Sequence, residues 1–228
     1  MKVNNKIIDF LFSLDFRGRS LPPGIKVLNP YKGIGADEVR RICKEFYGKY
    51  FDDNNERRII LGINPGRFGA GVTGIAFTDT KRLEDICGIE TSLNSHEMSS
   101  EFIYEMIEKF GGVKAFYQKY FLSAVCPLGF LKVQDTGKEI NYNYYDSKEL
   151  IEATDKFIPD TIKIQASFNI KRDKCYCLGT GKNYKYLKKL NKKLSIFDEI
   201  IPLEHPRFIM QYRRKKINDF IDKYIKAL

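Results

Sequence analysis

The sequence has few of the residues that bind metals or hold a protein in a membrane. Its 228 residues include two histidines and five cysteines, and no C-x₂-C pair of the kind found in zinc and iron–sulfur sites. No segment approaches the ~18 consecutive apolar residues of a membrane-spanning helix, and the first residues lack the apolar stretch of a secretory signal. We therefore expect an intracellular, cytoplasmic protein in a reducing compartment, with no metal, no other cofactor and no membrane partner.

The chain is rich in positive charge and in apolar residues. It has 39 lysines and arginines against 29 acidic residues, a net charge of +10, and 43% hydrophobic residues. That hydrophobic content is typical of a globular chain, so we expect a single domain over residues 1–228, acting as a monomer. The charge favours a polyanionic partner, nucleic acid before an anionic membrane surface, although a merely basic protein would have the same composition.

Four short apolar segments, each followed by turn-forming residues, are predicted to be strands: 57–61, 121–126, 174–178 and 199–203. Segments with a helical spacing of apolar residues are 6–15, 36–51, 80–87, 101–110, 112–120, 147–167 (interrupted near Pro159), 184–192 and 217–228. Strands that alternate with helices predict an α/β fold, with three α/β/α layers and a central, four-stranded, mainly parallel sheet. Pro202 fits best in an edge strand. The polar segment 132–146 is expected to be a loop.

Turn residues of unusual composition follow each predicted strand. They are Asn64-Pro-Gly66, Cys126-Pro-Leu128, Gly179-Thr-Gly181 and His205-Pro-Arg207. Ligands of open α/β sheets bind beyond the carboxyl ends of the strands, so these four loops are expected to converge on one rim. The first loop has four glycines between positions 66 and 74, which would let backbone N–H groups approach a flat or anionic group. An ordinary glycine-rich turn is the alternative interpretation.

Few side chains at this rim are suited to acid–base chemistry. No carboxylate pair follows the strands, which argues against hydrolysis by two carboxylates. The imidazole of His205 could stabilise negative charge on a departing group, and the amide of Asn64 could hold a water. This pair suits a reaction whose bond breaks early and leaves a cation-like sugar for the water to trap. Phe77 offers a flat face for stacking a base, or else is a core aromatic.

The segment Leu61-Gly-Ile-Asn-Pro-Gly-Arg-Phe-Gly-Ala-Gly-Val-Thr-Gly-Ile-Ala-Phe77 resembles the first motif of the single-strand-selective monofunctional uracil-DNA glycosylases. The family pattern is G-M-N-P-G-P-F-G-M-A-Q-T-G-V-P-F, and the Asn-to-Phe spacing is thirteen positions in both. The resemblance continues in family order through Cys126-Pro-Leu128, Gly179-Thr-Gly181 and His205-Pro206. It implies a uracil-DNA glycosylase fold and a DNA repair enzyme that hydrolyses the N-glycosidic bond of uracil or a related damaged pyrimidine in DNA, by base flipping.

The resemblance also assigns roles to single residues. Asn64 would orient the attacking water, and His205 would stabilise the charge that builds on the base. Phe77 would stack on the extruded base, and the backbone at Gly66 would contact it.

One position departs from the family in the part that reads the base. The family's base-reading asparagine falls on Ala124, whose side chain forms no hydrogen bonds. Ser123, or the segment 141–143 with Asn143, is the candidate to take its place.

The candidates for DNA contact lie next to these motifs. The family's wedge loop, His-Pro-Ser-Pro, is His205-Pro-Arg-Phe208 here, so one of its last two side chains would enter the duplex. The basic run 211–216 is a candidate for phosphate contacts, and the glycines before the helix at 182 could hold a phosphate on backbone amides. The DNA-binding candidates are Arg67, Gly179, Gly181, Lys182, Arg207, Phe208, Arg213 and Arg214.

Three functions remain open at this level. The first is a glycosylase that acts on single- or double-stranded DNA. The second, favoured by Ala124, is a glycosylase fold that binds nucleic acid or a nucleotide without releasing a base. The third is an enzyme that acts on a small nucleotide. Base release from uracil-containing oligonucleotides, and its dependence on polymer length, separates the three.

Overall fold

Four parallel strands form the central sheet of the computed structural model, which describes residues 1–16 and 20–228. The strands are β2 (Arg57–Gly62), β3 (Tyr120–Ala124), β6 (Ile170–Leu178) and β7 (Glu199–Leu203), in the order β3-β2-β6-β7. The predicted four-stranded parallel sheet is therefore confirmed, and Pro202 lies in the edge strand β7, which pairs on one side only, with β6. Residue pairing brings the ends of β2 and β3 level, with Gly62 opposite Ala124.

A second sheet, which the sequence did not predict, lies beside the first. It consists of β1 (Ile25–Leu28), β4 (Gly129–Val133) and β5 (Glu139–Tyr142), paired antiparallel in the order β1-β4-β5. The expected loop over 132–146 was therefore wrong. The strands are short and partly exposed, so their polar residues hid the pairing that Phe130 and Leu131 anchor in the core. This hairpin carries Asn141 towards the carboxyl end of the central sheet.

Helices flank the central sheet. They are α1 (Val3–Ser13), α2 (Ala36–Phe51), α3 (Ala70–Thr73), α4 (Thr80–Asp85), α5 (Met98–Phe110), α6 (Gly112–Tyr117), α7 (Lys148–Ala153), α8 (Phe157–Gln165), α9 (Lys182–Leu194), α10 (Pro206–Tyr212) and α11 (Ile217–Ala227). A 3₁₀ turn, Arg214–Lys216, joins the last two.

Two of the predicted helices differ from the observed ones for identifiable local reasons. The helix expected over 147–167 is broken after Ala153, where the Thr154 hydroxyl donates to the carbonyl of Leu150 at 2.9 Å. Pro159 does not break it, because it lies in the first turn of α8, where backbone N–H groups have no partner within the helix. The helix expected over 112–120 ends at Tyr117, since Tyr120 already begins β3.

The core is one cluster of buried apolar side chains that runs from Val3 to Tyr224. All five cysteines are buried and form no disulfide, as expected of small core residues in this sequence. Within residues 1–16 and 20–228, no three His, Cys, Asp or Glu side chains are grouped so that they could hold a metal ion. Over the same ranges, no helix is long and apolar enough to span a bilayer. The single-domain interpretation stays a prediction.

Candidate active site

A cleft of about 400 Å³ opens at the carboxyl end of the central sheet. Its walls are the loop after β2, the end of β3, strand β5 with the residues that follow it, the segment before α5, and the start of α10. The sequence-predicted residues that line it are Asn64, Gly66, Phe77, Ser123, Ala124, Asn143, His205, Arg207 and Phe208. The structure thus brings together side chains that are up to 140 or so positions apart in the chain.

Asn64 is held in one orientation by the backbone that faces it. Its Oδ1 accepts the N–H of Tyr144 at 3.1 Å, and its Nδ2 lies 3.3 Å from the carbonyl oxygen of Tyr142. A flipped amide would set N–H against N–H and oxygen against oxygen, so the two contacts fix which end is which. An amide oxygen accepts two hydrogen bonds, and Oδ1 therefore keeps one acceptor position for a ligand or a water.

His205 presents a neutral imidazole to the cleft. It is the N-cap of α10, and its Nδ1 accepts the N–H of Arg207 at 3.2 Å. Since Nδ1 is an acceptor, the proton of the neutral ring lies on Nε2. Burial and, to a smaller extent, the positive charge of Arg207 lower the pKa of His205 to about 4. Near neutral pH, the ring is therefore an uncharged hydrogen-bond donor.

The ring of Phe77 lies against the end of β2 because of two backbone features. Phe77 has φ +54°, in the left-handed region that non-glycine residues rarely adopt, at a penalty of about 1–3 kcal/mol. A Cβ at Gly62 would lie 2.7 and 2.8 Å from two carbons of the ring, so glycine is needed there. The ring centroid is 6.1 Å from that of His205, at an interplanar angle of 49°. Phe77 is half-buried, and one part of it faces the cleft.

The candidate base-reading residues differ in the hydrogen-bond donors and acceptors that remain free on their side chains. The Ser123 hydroxyl donates to the side-chain oxygen of Gln165, so its proton is already committed. The amide nitrogen of Asn143 donates to Asp146 at 3.0 Å, which leaves its second N–H and its oxygen. Ala124 lies at the wall of the cleft with no polar side-chain atom.

Asn141 and Glu97 also line the cleft, and the sequence analysis assigned neither a role of its own. Asn141 accepts the N–H of Arg67 at 3.0 Å through Oδ1 and turns its Nδ2 towards Gly66. Glu97 precedes α5, so a search of strand ends for acidic residues could not find it. Burial raises the pKa of Glu97 to about 7, with nearby Asp79 adding to the rise and Arg207 opposing it.

Two of the four loops expected to converge do not line the cleft: Cys126-Pro-Leu128, which is buried, and the loop after β6. At the end of β6 the physical reason is Asn183, a buried residue in the first turn of α9. Its amide nitrogen donates to the carbonyls of Leu178 at 3.0 Å and Gly62 at 3.3 Å, and its oxygen accepts the Tyr144 hydroxyl at 2.7 Å. This side chain caps the ends of both strands at that point.

Six predicted DNA contacts lie outside the cleft lining: Arg67, Gly179, Gly181, Lys182, Arg213 and Arg214. The guanidinium of Arg67 lies 4.4 Å from the centroid of the Phe68 ring, and that of Arg213 lies 5.5 Å from the Phe208 ring. Arg214 is paired with Glu101 at 2.6 Å. Their role in DNA binding stays a prediction.

The carboxyl edge of the parallel sheet therefore holds an oriented amide, a neutral imidazole and an aromatic ring around one cleft, in an α/β fold. The family described as the uracil DNA glycosylase superfamily matches residues 49–228, and the chain belongs to that superfamily. The crystal structure of wild-type SMUG2 from Pedobacter heparinus is similar over 100% of this chain and 97% of that chain, with 51% sequence identity and a TM-score of 0.97. No curated protein sequence matches the chain. The resemblance carried by residues 61–77 and the predicted fold class are confirmed.

Proposed function

We propose that this protein is a monofunctional DNA glycosylase that hydrolyses the N-glycosidic bond of uracil, or of a related damaged pyrimidine, in DNA. The observation that carries the proposal is the shared cleft of Asn64, Phe77 and His205. Membership of the uracil-DNA glycosylase superfamily supports a uracil-DNA glycosylase role. The geometry of the cleft supports the catalytic roles that we propose below for Asn64 Oδ1 and for the Nε2–H of His205.

In the proposed reaction, the target base leaves the stack and enters the cleft, where its face lies on the ring of Phe77. A volume of about 400 Å³ accommodates one base and its sugar. Backbone groups of the glycine loop at Gly66 contact the base at its edge.

The bond to the sugar then breaks with negative charge moving onto the base. The Nε2–H of His205 donates to the base oxygen on which this charge develops, and it can do so from a neutral ring. The free acceptor position of Asn64 Oδ1 holds a water that attacks the cation-like sugar. Because the amide does not take up a proton, Asn64 positions the water rather than activating it as a base.

In this proposal, DNA passes two exposed aromatic side chains to reach the cleft. Phe208 is 42% exposed and Tyr212 is 60% exposed, their ring centroids are 5.7 Å apart, and both lie at the cleft. We assign Phe208 or Arg207 as the side chain that enters the space left by the extruded base. The net charge of +10 attracts the DNA backbone, and action as a monomer stays a prediction.

The direct test is base release from single- and double-stranded oligonucleotides that contain one uracil, scored by alkaline cleavage of the abasic site. We expect cleaved product with the unaltered protein and a large loss with Asn64→Ala. Asn218→Ala, an exposed asparagine on α11, is the matched control and should cleave normally. Absence of product with uracil and with a panel of deaminated and oxidised pyrimidines would reject the proposal.

The second candidate is a glycosylase fold that binds DNA without cutting it. Ala124 favours it, because the cleft wall lacks an amide at the place where the family reads the base. It predicts salt-dependent DNA binding that Asn64→Ala leaves unchanged, with no base released.

A further inference from the structure

We propose that Glu97 reads the extruded base: as a neutral carboxylic acid, it supplies the hydrogen-bond donor and acceptor that Ala124 does not. This inference rests on the proposed glycosylase function and names the residue that recognises the substrate. It is drawn from the position and the unused hydrogen-bonding capacity of the Glu97 side chain.

Glu97 occupies a helix N-cap, yet its side chain does not cap the helix. Its backbone carbonyl accepts the N–H of Ser100 at 3.0 Å, and its own N–H donates to Asp79 at 2.9 Å, so the backbone is fixed. The carboxyl group turns away from α5 and lies over the glycine loop. A Cβ at Gly69 would be 2.0 Å from Glu97 Oε2, so a larger residue at position 69 would force this carboxyl group to move.

The carboxyl group has no protein donor. In the part of the chain that the structure describes, no N–H or O–H donates to either of its oxygens. Acidic Asp79 lies behind it, itself held by Arg82 at 3.2 Å, while the cation of Arg207 and the neutral ring of His205 lie across the cleft. Burial and Asp79 outweigh Arg207, and a pKa of about 7 leaves a large fraction of Glu97 protonated at neutral pH.

A protonated carboxyl has the hydrogen-bonding pattern of an amide. It offers one O–H donor and one carbonyl acceptor, side by side, as asparagine offers N–H and C=O. A pyrimidine such as uracil presents an N–H donor next to a carbonyl acceptor, which this pair matches. The ionised form accepts only, so it would leave the base carbonyl without a donor. Of the other candidates, Ser123 has given its only hydroxyl proton to Gln165, and Asn143 has given one of its two amide N–H groups to Asp146.

The test compares single-turnover uracil release by the unaltered protein, Glu97→Gln and Glu97→Ala at pH 6 and pH 8. Glu97→Ala should lower kcat/KM by about 10- to 100-fold at pH 6. Glu97→Gln keeps a donor and an acceptor at every pH, and we expect it to recover kcat/KM to within about threefold of the unaltered protein at pH 6. The unaltered protein should lose rate between pH 6 and pH 8, and Glu97→Gln should not.

Two other roles give different results and would overturn the proposal. If Glu97 were a general base for the water, Glu97→Gln would be as slow as Glu97→Ala, and the rate would rise with pH. If Glu97 were merely structural, both variants would lower the melting temperature and leave the pH profile unchanged.

A binding measurement separates failure of this inference from failure of the proposed function. The probes are two oligonucleotides, one with 2′-fluoro-2′-deoxyuridine, which resists hydrolysis, and one with a tetrahydrofuran abasic site. The unaltered protein and Glu97→Gln should prefer the first, and Glu97→Ala should lose most of that preference. If the protein releases no base but shows this binding pattern, the proposed glycosylase activity is refuted, whereas recognition of the base by Glu97 is supported. If the protein releases uracil but Glu97→Ala keeps the preference for the uracil-containing probe, only the proposed recognition by Glu97 is refuted.

Discussion

Two strand ends of the central sheet look alike in sequence and differ in the structure. Residues 63–66 follow β2 and residues 179–182 follow β6, and each segment contains glycine and lies at the carboxyl edge. The first lines the cleft, and the second is covered by the buried amide of Asn183. The two asparagines are linked, because Tyr144 gives its N–H to Asn64 and its hydroxyl to Asn183. Glycine at a strand end therefore marks backbone freedom, and the neighbouring side chains decide whether a site forms there.

Replacing each of the two asparagines with alanine should give the largest difference between the two strand ends. We expect Asn64→Ala to lower kcat for uracil release by at least about 10²-fold with a modest change in DNA affinity, because the water loses its orienting group. Asn183→Ala should instead destabilise the fold by about 1–3 kcal/mol, since it leaves buried carbonyls unpaired. Single-turnover kinetics and urea denaturation measure the two effects. Equal loss of kcat in both variants would show that the β6 end belongs to the active site.

A methyl group added to a glycine at each strand end gives the next largest contrast. In Gly62→Ala, the new Cβ would meet the ring of Phe77 at 2.7 Å, so the ring must move and we expect kcat/KM to fall by about 10- to 100-fold. Gly181→Ala gives the contrast at the β6 end, because no atom lies within 4 Å of its Cβ and no ring would have to move. Uracil release is measured for both variants. If both lost activity equally, our assignment of the active site to the β2 end alone would be wrong.

His205 should make stability depend on pH in the weakly acidic range. Its folded pKa of about 4 lies below the usual value near 6.5, so the unfolded chain binds the proton first as the pH falls. Stability is then lost progressively below pH 6.5, by up to about 2 kcal/mol at pH 5. Urea unfolding at pH 7 and pH 5 should show this loss in the unaltered protein and a smaller one in His205→Ala. An equal loss in both would assign the effect to other groups.

The smallest expected difference concerns two basic residues, one that lines the cleft from α10 and one at the β6 end. Arg207 lines the cleft, whereas the Lys182 ammonium lies outside it, 5.9 Å from the centroid of the Tyr145 ring. We expect Arg207→Ala to weaken DNA binding more than Lys182→Ala, with each true phosphate contact lowering the salt slope by about one. Titration of both variants with labelled DNA at several salt concentrations measures this. A larger effect of Lys182→Ala would extend the DNA path across the β6 end.

The sequence predicted the central sheet and the main parts of the cleft for identifiable reasons. Strands buried on both faces form continuous apolar runs, so 57–61 and 121–126 are visible without any structure. The rule that ligands bind beyond strand ends brought Asn64 and His205 together in the prediction. The β1-β4-β5 sheet was missed because its strands are short, partly exposed and rich in polar residues, a composition that also fits a loop.

By itself, the sequence determined the order of the four central strands and of the main helices, the motif at 61–77 and the excess of positive charge, because periodicity and glycine placement act over a few residues. Only the tertiary structure decided which strand end is open. It seated Asn183 over one end, turned Glu97 from a helix N-cap towards Gly69, and held Phe77 at a positive φ against Gly62. These are contacts between segments far apart in the chain, and packing alone specifies them.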